Sequence, residues 1–178
     1  LREKIVNNEI KEINDFITYN LNIRQFAQDI VENYEGSDLI SAFYKAITEV
    51  TILDPTCGSG AFLFAALNIL QPLYESCIDR MRTFIEEDNE KEGRKHFDYF
   101  RKIINEIDIH PNEKYYIYKS IILRNLYGVD IMKEAVEIAK LRLFLKLVAE
   151  VEPDEKHENF GLEDRKSTRL NSSHTIQS

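Results

Sequence analysis

The stretch Thr51-Ile52-Leu53-Asp54-Pro55-Thr56-Cys57-Gly58-Ser59-Gly60-Ala61-Phe62-Leu63 runs from a β-branched segment, through an acid and two glycines, into an apolar helix. Val50 to Leu53 suit a short buried parallel strand. Asp54 then falls at the carboxyl end of that strand, the edge where open α/β sheets bind ligands. Pro55 fixes its own φ and biases Asp54 away from helix, which closes the strand. Gly58 and Gly60 permit positive φ and let a ligand approach the backbone. A helix starting at Gly60 or Ala61 would aim its free N–H groups and positive dipole end at that ligand. The fold class expected is α/β.

The chemistry of the turn narrows the ligand. No lysine follows the glycines, so the phosphate-loop pattern is absent. Leu63 stands where a dinucleotide fingerprint places its third glycine. A small zwitterion fits better than a pyrophosphate. The helix end would hold a carboxylate, and Asp54 would take an ammonium group. The competing reading is a strand-to-helix turn whose glycines serve geometry alone. The coincidence of acid, proline and both glycines favours a binding turn.

A second strand is expected over Asn125-Leu126-Tyr127-Gly128-Val129, ending in Asp130. A carboxylate there can accept hydrogen bonds from both hydroxyls of a ribose, and Ile131 could lie against an adenine face. Asp130 also precedes the helical run from Lys133 to Val148, so it could instead be a helix N-terminal acid. The glycine turn upstream favours the ribose role. A ribose joined to a zwitterion points to S-adenosylmethionine. The distance from turn to acid far exceeds the roughly twenty residues of a dinucleotide fold. Residues 72–124 are therefore expected to form a long helical insertion in the crossover. The helix from Ile131 to Ala149 is apolar on most faces and is expected to be mostly buried.

At these residues the chain resembles the amino-methylating DNA methyltransferases that act on adenine. More narrowly, it resembles the large single-chain enzymes of restriction–modification and BREX-type phage-defence systems. The first motif of that family is matched by Asp54 to Leu63, and the likeness continues from Leu67 to Glu75. It resumes at Tyr127-Gly128-Val129-Asp130-Ile131 and along the helix Ala135 to Leu143, the second motif. Asn22-Ile23-Arg24-Gln25-Phe26-Ala27 is also similar. The resemblance implies a partial Rossmann-like methyltransferase fold binding S-adenosylmethionine. Its cofactor residues would be Asp54, Pro55, Thr56, Cys57, Gly58, Ser59, Gly60, Phe62, Asp130 and Ile131. It further implies methyl transfer to the exocyclic amine of adenine in duplex DNA after base flipping. Partner subunits of a restriction or defence system would follow. The family's catalytic motif, Asn or Asp followed by two prolines and an aromatic, has no match, since Pro55, Pro72, Pro111 and Pro153 stand apart. No catalytic residue is assigned. Two alternatives keep the same cofactor half or discard it: a methyltransferase acting on RNA or a small molecule, and a non-catalytic helical interaction domain.

Residues 1–49 are expected to form an N-terminal helical segment, with Asn22 and Ser37 as N-caps and a break at Glu35-Gly36. Residues 50–163 would be the cofactor-binding half of the domain. Within it, Gly60 to Leu70 is expected to be a buried helix, with a second helix starting at Pro72 and reaching about Glu87. Residues 86–93 read as a solvated turn, and His110-Pro111-Asn112 as the start of a return helix. Asp164 to His174 resembles a translated sequencing adapter, so residues 164–178 are expected to be a non-native, disordered tail. With Leu1 at the start, the chain reads as an internal fragment.

The chain has 178 residues, 23 Lys plus Arg and 31 Asp plus Glu, for a formal charge of −8. Such a balance makes a poor sole DNA binder, so duplex DNA would be gripped through a part of the protein outside this chain. No run is read as membrane-spanning and no secretory signal is seen. Cys57 and Cys77 lack metal-ligand spacing and fit a reducing cytoplasm. Cys57 is read as a small turn residue, and no metal site is expected. Tyr115, Tyr116 and Tyr118 could stack on bases, but Ile117, Ile121 and Ile122 among them favour packing. His96, His110 and His157 are given no chemical role.

Overall fold

A computed structural model describes residues 2–12, 14–15, 22–90, 97–151 and 175–177. Those residues are largely helical around a small sheet. Among the described residues the first elements are α1 (Arg2–Val6), α2 (Ile23–Asn33) and α3 (Ser37–Glu49). Asn22 caps α2, its side chain accepting from the Gln25 N–H at 3.1 Å. At α3 the N-cap is Gly36 rather than Ser37, which is already helical.

Strand β1 (Ile52–Asp54) follows, then α4 (Ala61–Glu90), α5 (Asp98–Asp108), α6 (Glu113–Arg124) and β2 (Leu126–Val129). The two strands pair in parallel, with Ile52 opposite Leu126 and Asp54 opposite Gly128. Among the described residues three helices lie between the two parallel strands. Helix α7 (Lys133–Val148) leaves the far end of β2, and β3 (Thr175–Gln177) pairs antiparallel with β2's other edge. Most of the expected tail, residues 164–174 and Ser178, lies outside the described residues; Thr175–Gln177 is this strand. The parallel pair and its helical crossover make a partial α/β arrangement.

Helix α4 organises the molecule. Leu63, Leu67, Leu70, Tyr74, Ile78 and Met81 recur at three- and four-residue intervals and are buried on one face. Against that face lie α2, α3, α5, α6 and both strands of the parallel pair. Pro72 sits inside this single helix and does not begin a second one. Proline removes one backbone bond, and the buried side chains before and after it hold the axis through the gap. The opposite face is open, with Phe62 and Ile69 exposed. The first turns are thus amphipathic, not buried all round as expected. By length and hydropathy Ala61–Asp88 could cross a membrane, contrary to the sequence expectation; half of that window is buried, as in a core helix.

Helix α5 offers Phe100, Ile103, Ile104 and Ile107 to the core, an i, i+3, i+4, i+7 stripe. Helix α6 is buried on nearly every side, including Tyr115, Tyr116 and Tyr118. These tyrosines pack, as expected; the Tyr116 and Tyr44 hydroxyls lie 3.4 Å apart. Asn112 caps α6 through Tyr115 N–H at 2.8 Å, and the preceding His110 rests on Glu106 O and Lys119. His96 and His157 lie outside the described residues. Glu86 to Glu90 remain helical, and Asp88 is buried with its carboxylate 3.5 Å from Arg101 Nη2, so that segment is no solvated turn. Residues 91–93 lie outside the described residues.

Helix α7 buries only Val136, Ala139 and Leu143, while Ile138, Leu141, Phe144 and Leu145 are exposed. A mostly buried helix was expected. Its apolar residues face in several directions, and the described chain covers only one of them.

Candidate functional site

Parallel pairing puts the ends of β1 and β2 side by side, which brings the two acids to one edge of the sheet. Asp54 is buried, and its Oδ1 accepts the Thr56 N–H at 3.1 Å. That bond shapes the chain as it leaves the strand, with Pro55 and Thr56 exposed above it. The turn then folds over the end of β2. Cys57 N–H donates to Val129 O at 2.9 Å, and Gly58 N–H donates to Asp130 Oδ2 at 2.8 Å. Gly60 N–H closes the loop on Cys57 O at 2.7 Å.

Each glycine answers a different demand. Gly58 has φ +50° and nothing within 4 Å of where a Cβ would stand, so space is open beside the backbone. Gly60 has φ +83°, and a Cβ there would lie 3.1 Å from Ala139 Cβ on α7. Gly128, inside β2, has the turn against it: its Cβ would stand 3.0 Å from Cys57 Cβ and Leu63 Cδ1. Sequence reasoning placed Gly128 in the strand without seeing this close approach.

Asp130 is tied on both oxygens. Oδ1 accepts Met132 N–H at 2.8 Å and Oδ2 accepts Gly58 N–H. These backbone donors, Met132 first, hold its carboxyl below the ordinary carboxylate range. A carboxylate has about four acceptor positions, more than these donors use, so capacity remains for others. Asp130 therefore organises the loop and still has capacity for a ligand. Ile131 is fully exposed and Phe62 more than half so, leaving two apolar side chains on an open ledge. Cys57 is buried; burial, then the charges of Asp130 and Asp54, push its thiol up. A protonated thiol makes a poor nucleophile, which fits its reading as a turn residue.

The structure thus gathers Asp54, Cys57, Gly58, Gly60 and Asp130 directly, with Ser59, Phe62 and Ile131 around them. Two further residues were not found from sequence. Arg142 reaches from α7 to Ser59, with Nη1 2.7 Å from its carbonyl O and 3.0 Å from its Oγ. Asn125, fully buried, donates to Ile47 O and Val50 O and accepts from the Tyr74 hydroxyl at 3.0 Å. Its own N–H and C=O join α6 to β1 through Ile121 O and Ile52 N. No local sequence signal marks either role. Two surface cavities, of about 580 and 880 Å³, lie elsewhere, beside Lys45 and Tyr99 and beside Glu75 and Glu113.

A family model described as the DNA-methyltransferase domain of MmeI matches residues 27–177. Among curated proteins, a "putative type II restriction enzyme and methyltransferase" of Methanocaldococcus jannaschii is 36% identical over 114 residues. That alignment takes in 64% of this chain and 7% of the relative, so the chain spans a small part of the curated protein it matches. No solved structure matches the chain.

Proposed function

The chain belongs to the MmeI DNA-methyltransferase domain family, of restriction–modification type, and on that premise we propose that it forms the methyl-donor half of an adenine-directed enzyme. Residues 50–163 are assigned to a Rossmann-like half-domain binding S-adenosylmethionine, with residues 1–49 as its helical flank. The acceptor is the exocyclic amine of adenine in duplex DNA. The DNA-facing surface and the groups that hold the target base belong to polypeptide outside this chain. A reducing cytoplasm suits two free, buried thiols, Cys57 and Cys77.

One observation carries the reading: Gly58 N–H on Asp130 joins the glycine turn to the second acid at one sheet edge. The residues suit the donor's chemistry. Asp130 keeps acceptor positions for ribose hydroxyls, Asp54 supplies negative charge, and the first amides of α4 lack helical acceptors and suit a carboxylate. Gly58 leaves open space where a side chain would intrude. S-adenosylmethionine, when bound, supplies an electrophilic methyl on sulfonium. The chain's part is to orient that group and hold it still, the contribution that in-line transfer needs most.

Calorimetric titration of the 178-residue chain with S-adenosylhomocysteine tests this. Binding heat is expected for the native sequence and is expected to fall at least tenfold in affinity for Asp130→Ala. A folded chain that gives no heat would overturn the methyl-donor reading.

A further inference from the structure

Resting on the methyl-donor reading above, we propose that Arg142 is a positioning residue of that site, orienting the Ser59 hydroxyl as a hydrogen-bond donor to the carboxylate of the donor's amino-acid end. The guanidinium lies over the Phe64 ring at 4.8 Å while Nη1 reaches both Ser59 oxygens. Arginine only donates, so the Ser59 Oγ beside it must accept. The hydroxyl proton is then left for another partner, and Ser59 is exposed.

Charge supports the same assignment. Among the described residues Arg142 has no carboxylate partner, as is also true of Arg24 and Arg80, whereas Arg82, Arg101 and Arg124 are each paired with at least one. Its positive charge stands on the Ser59 side of the turn, and Asp54 and Asp130 stand at the sheet edge. A zwitterion laid across the turn would meet acids at its cationic centre and the Arg142–Ser59 pair at its anionic end. The apolar residues around Arg142 on α7, Ile138, Leu141 and Leu145, supply no competing anion. The packing of Gly60 on Ala139 keeps the two elements at the spacing this requires.

The competing account is a brace that merely holds the turn, and two ligands separate the accounts. S-adenosylhomocysteine carries the carboxylate; 5′-methylthioadenosine has the same nucleoside thioether without the amino acid. Calorimetry on the full chain is expected to show Arg142→Ala and Ser59→Ala each weakening S-adenosylhomocysteine roughly tenfold. Both should leave methylthioadenosine within about twofold. The double variant should lose little more than either single one, because the two side chains act as a unit. Ser59→Ala removes only an exposed hydroxyl, so it tests the idea even if Arg142→Ala fails to fold. Equal losses on both ligands would make Arg142 a structural brace and overturn the proposal, as would no loss on either. Native protein that binds both ligands equally would overturn the carboxylate contact alone. Native protein that binds neither would overturn the methyl-donor reading and this inference together.

Discussion

Three glycines at the sheet edge separate strain from crowding. Gly58 has positive φ and free space, Gly128 has crowding without positive φ, and Gly60 has both. Positive φ costs an L-residue about 1–2 kcal/mol, and overpacking about 1–3. Gly58→Ala is expected to cost about 1 kcal/mol, Gly128→Ala about 1, and Gly60→Ala about 2 or more. Urea unfolding of the three variants checks the order; a Gly60→Ala protein as stable as Gly58→Ala would contradict the Ala139 contact. Asp130 adds a pH dependence with a definite sign. Its folded carboxyl lies below the ordinary value near about 4, because backbone N–H groups favour the charged form. The stability it contributes is therefore complete above the unfolded value and is lost as pH falls through the lower folded one. Wild type and Asp130→Asn should differ in urea midpoint at pH 7 and converge as pH falls through the lowered folded value. Asp54, Gly58, Gly60 and Asp130 were legible because a strand-to-helix turn imposes its needs on adjacent residues. Arg142 was not legible, since nothing near it in sequence says which loop its side chain meets.

At the scale of elements, the strand and helix positions followed local pattern where that pattern was sharp. The i, i+3, i+4, i+7 stripe of Phe100, Ile103, Ile104 and Ile107 is one case, and the Asn112 cap is another. Pro72 misled because proline usually starts a helix or ends one, whereas the face from Leu63 to Met81 carries α4 past it. The burial of α7 was overstated because composition shows which residues are apolar, not which neighbours reach them. Asn125 shows the same limit for polar groups. Reading from sequence placed it only at the head of a strand, yet it links the end of α3, the middle of α4 and the start of both parallel strands. Asn125→Ala would leave Val50 O without that donor and deprive Ile47 O and the Tyr74 hydroxyl of a partner. A loss of about 3 kcal/mol is expected, since buried groups left unsatisfied cost about 1–3 each. Tyr74→Phe should cost about 1, and the pair should couple in a double-mutant cycle. Simple additivity in thermal or urea unfolding would show that the three groups do not act as one junction.

Across the whole molecule, shape and charge divide the labour of the proposed enzyme. Leu53 is 58% exposed and Val129 36%, on the sheet face turned away from α4, so among the described residues one side of the parallel pair is less covered than the other. Parallel sheets are normally covered on both faces. The charge is −8, and several cations already sit beside acids: Lys45 by Glu49, Arg82 by Asp108 and Glu113, Arg124 by Glu106, Lys140 by Glu137, Lys146 by Glu150. Paired cations project little field, and an acidic surface repels a phosphate backbone. Cofactor binding depends on the local geometry of one turn and should survive this balance, whereas duplex binding should not. The chain alone is thus expected to bind S-adenosylhomocysteine yet leave a labelled duplex unshifted in about 0.15 M salt, with no transfer of labelled methyl. Titrating salt downward makes the test sharper. Affinity that rises steeply as salt falls would contradict the charge argument, and labelled methyl reaching DNA would place the acceptor machinery within these 178 residues after all.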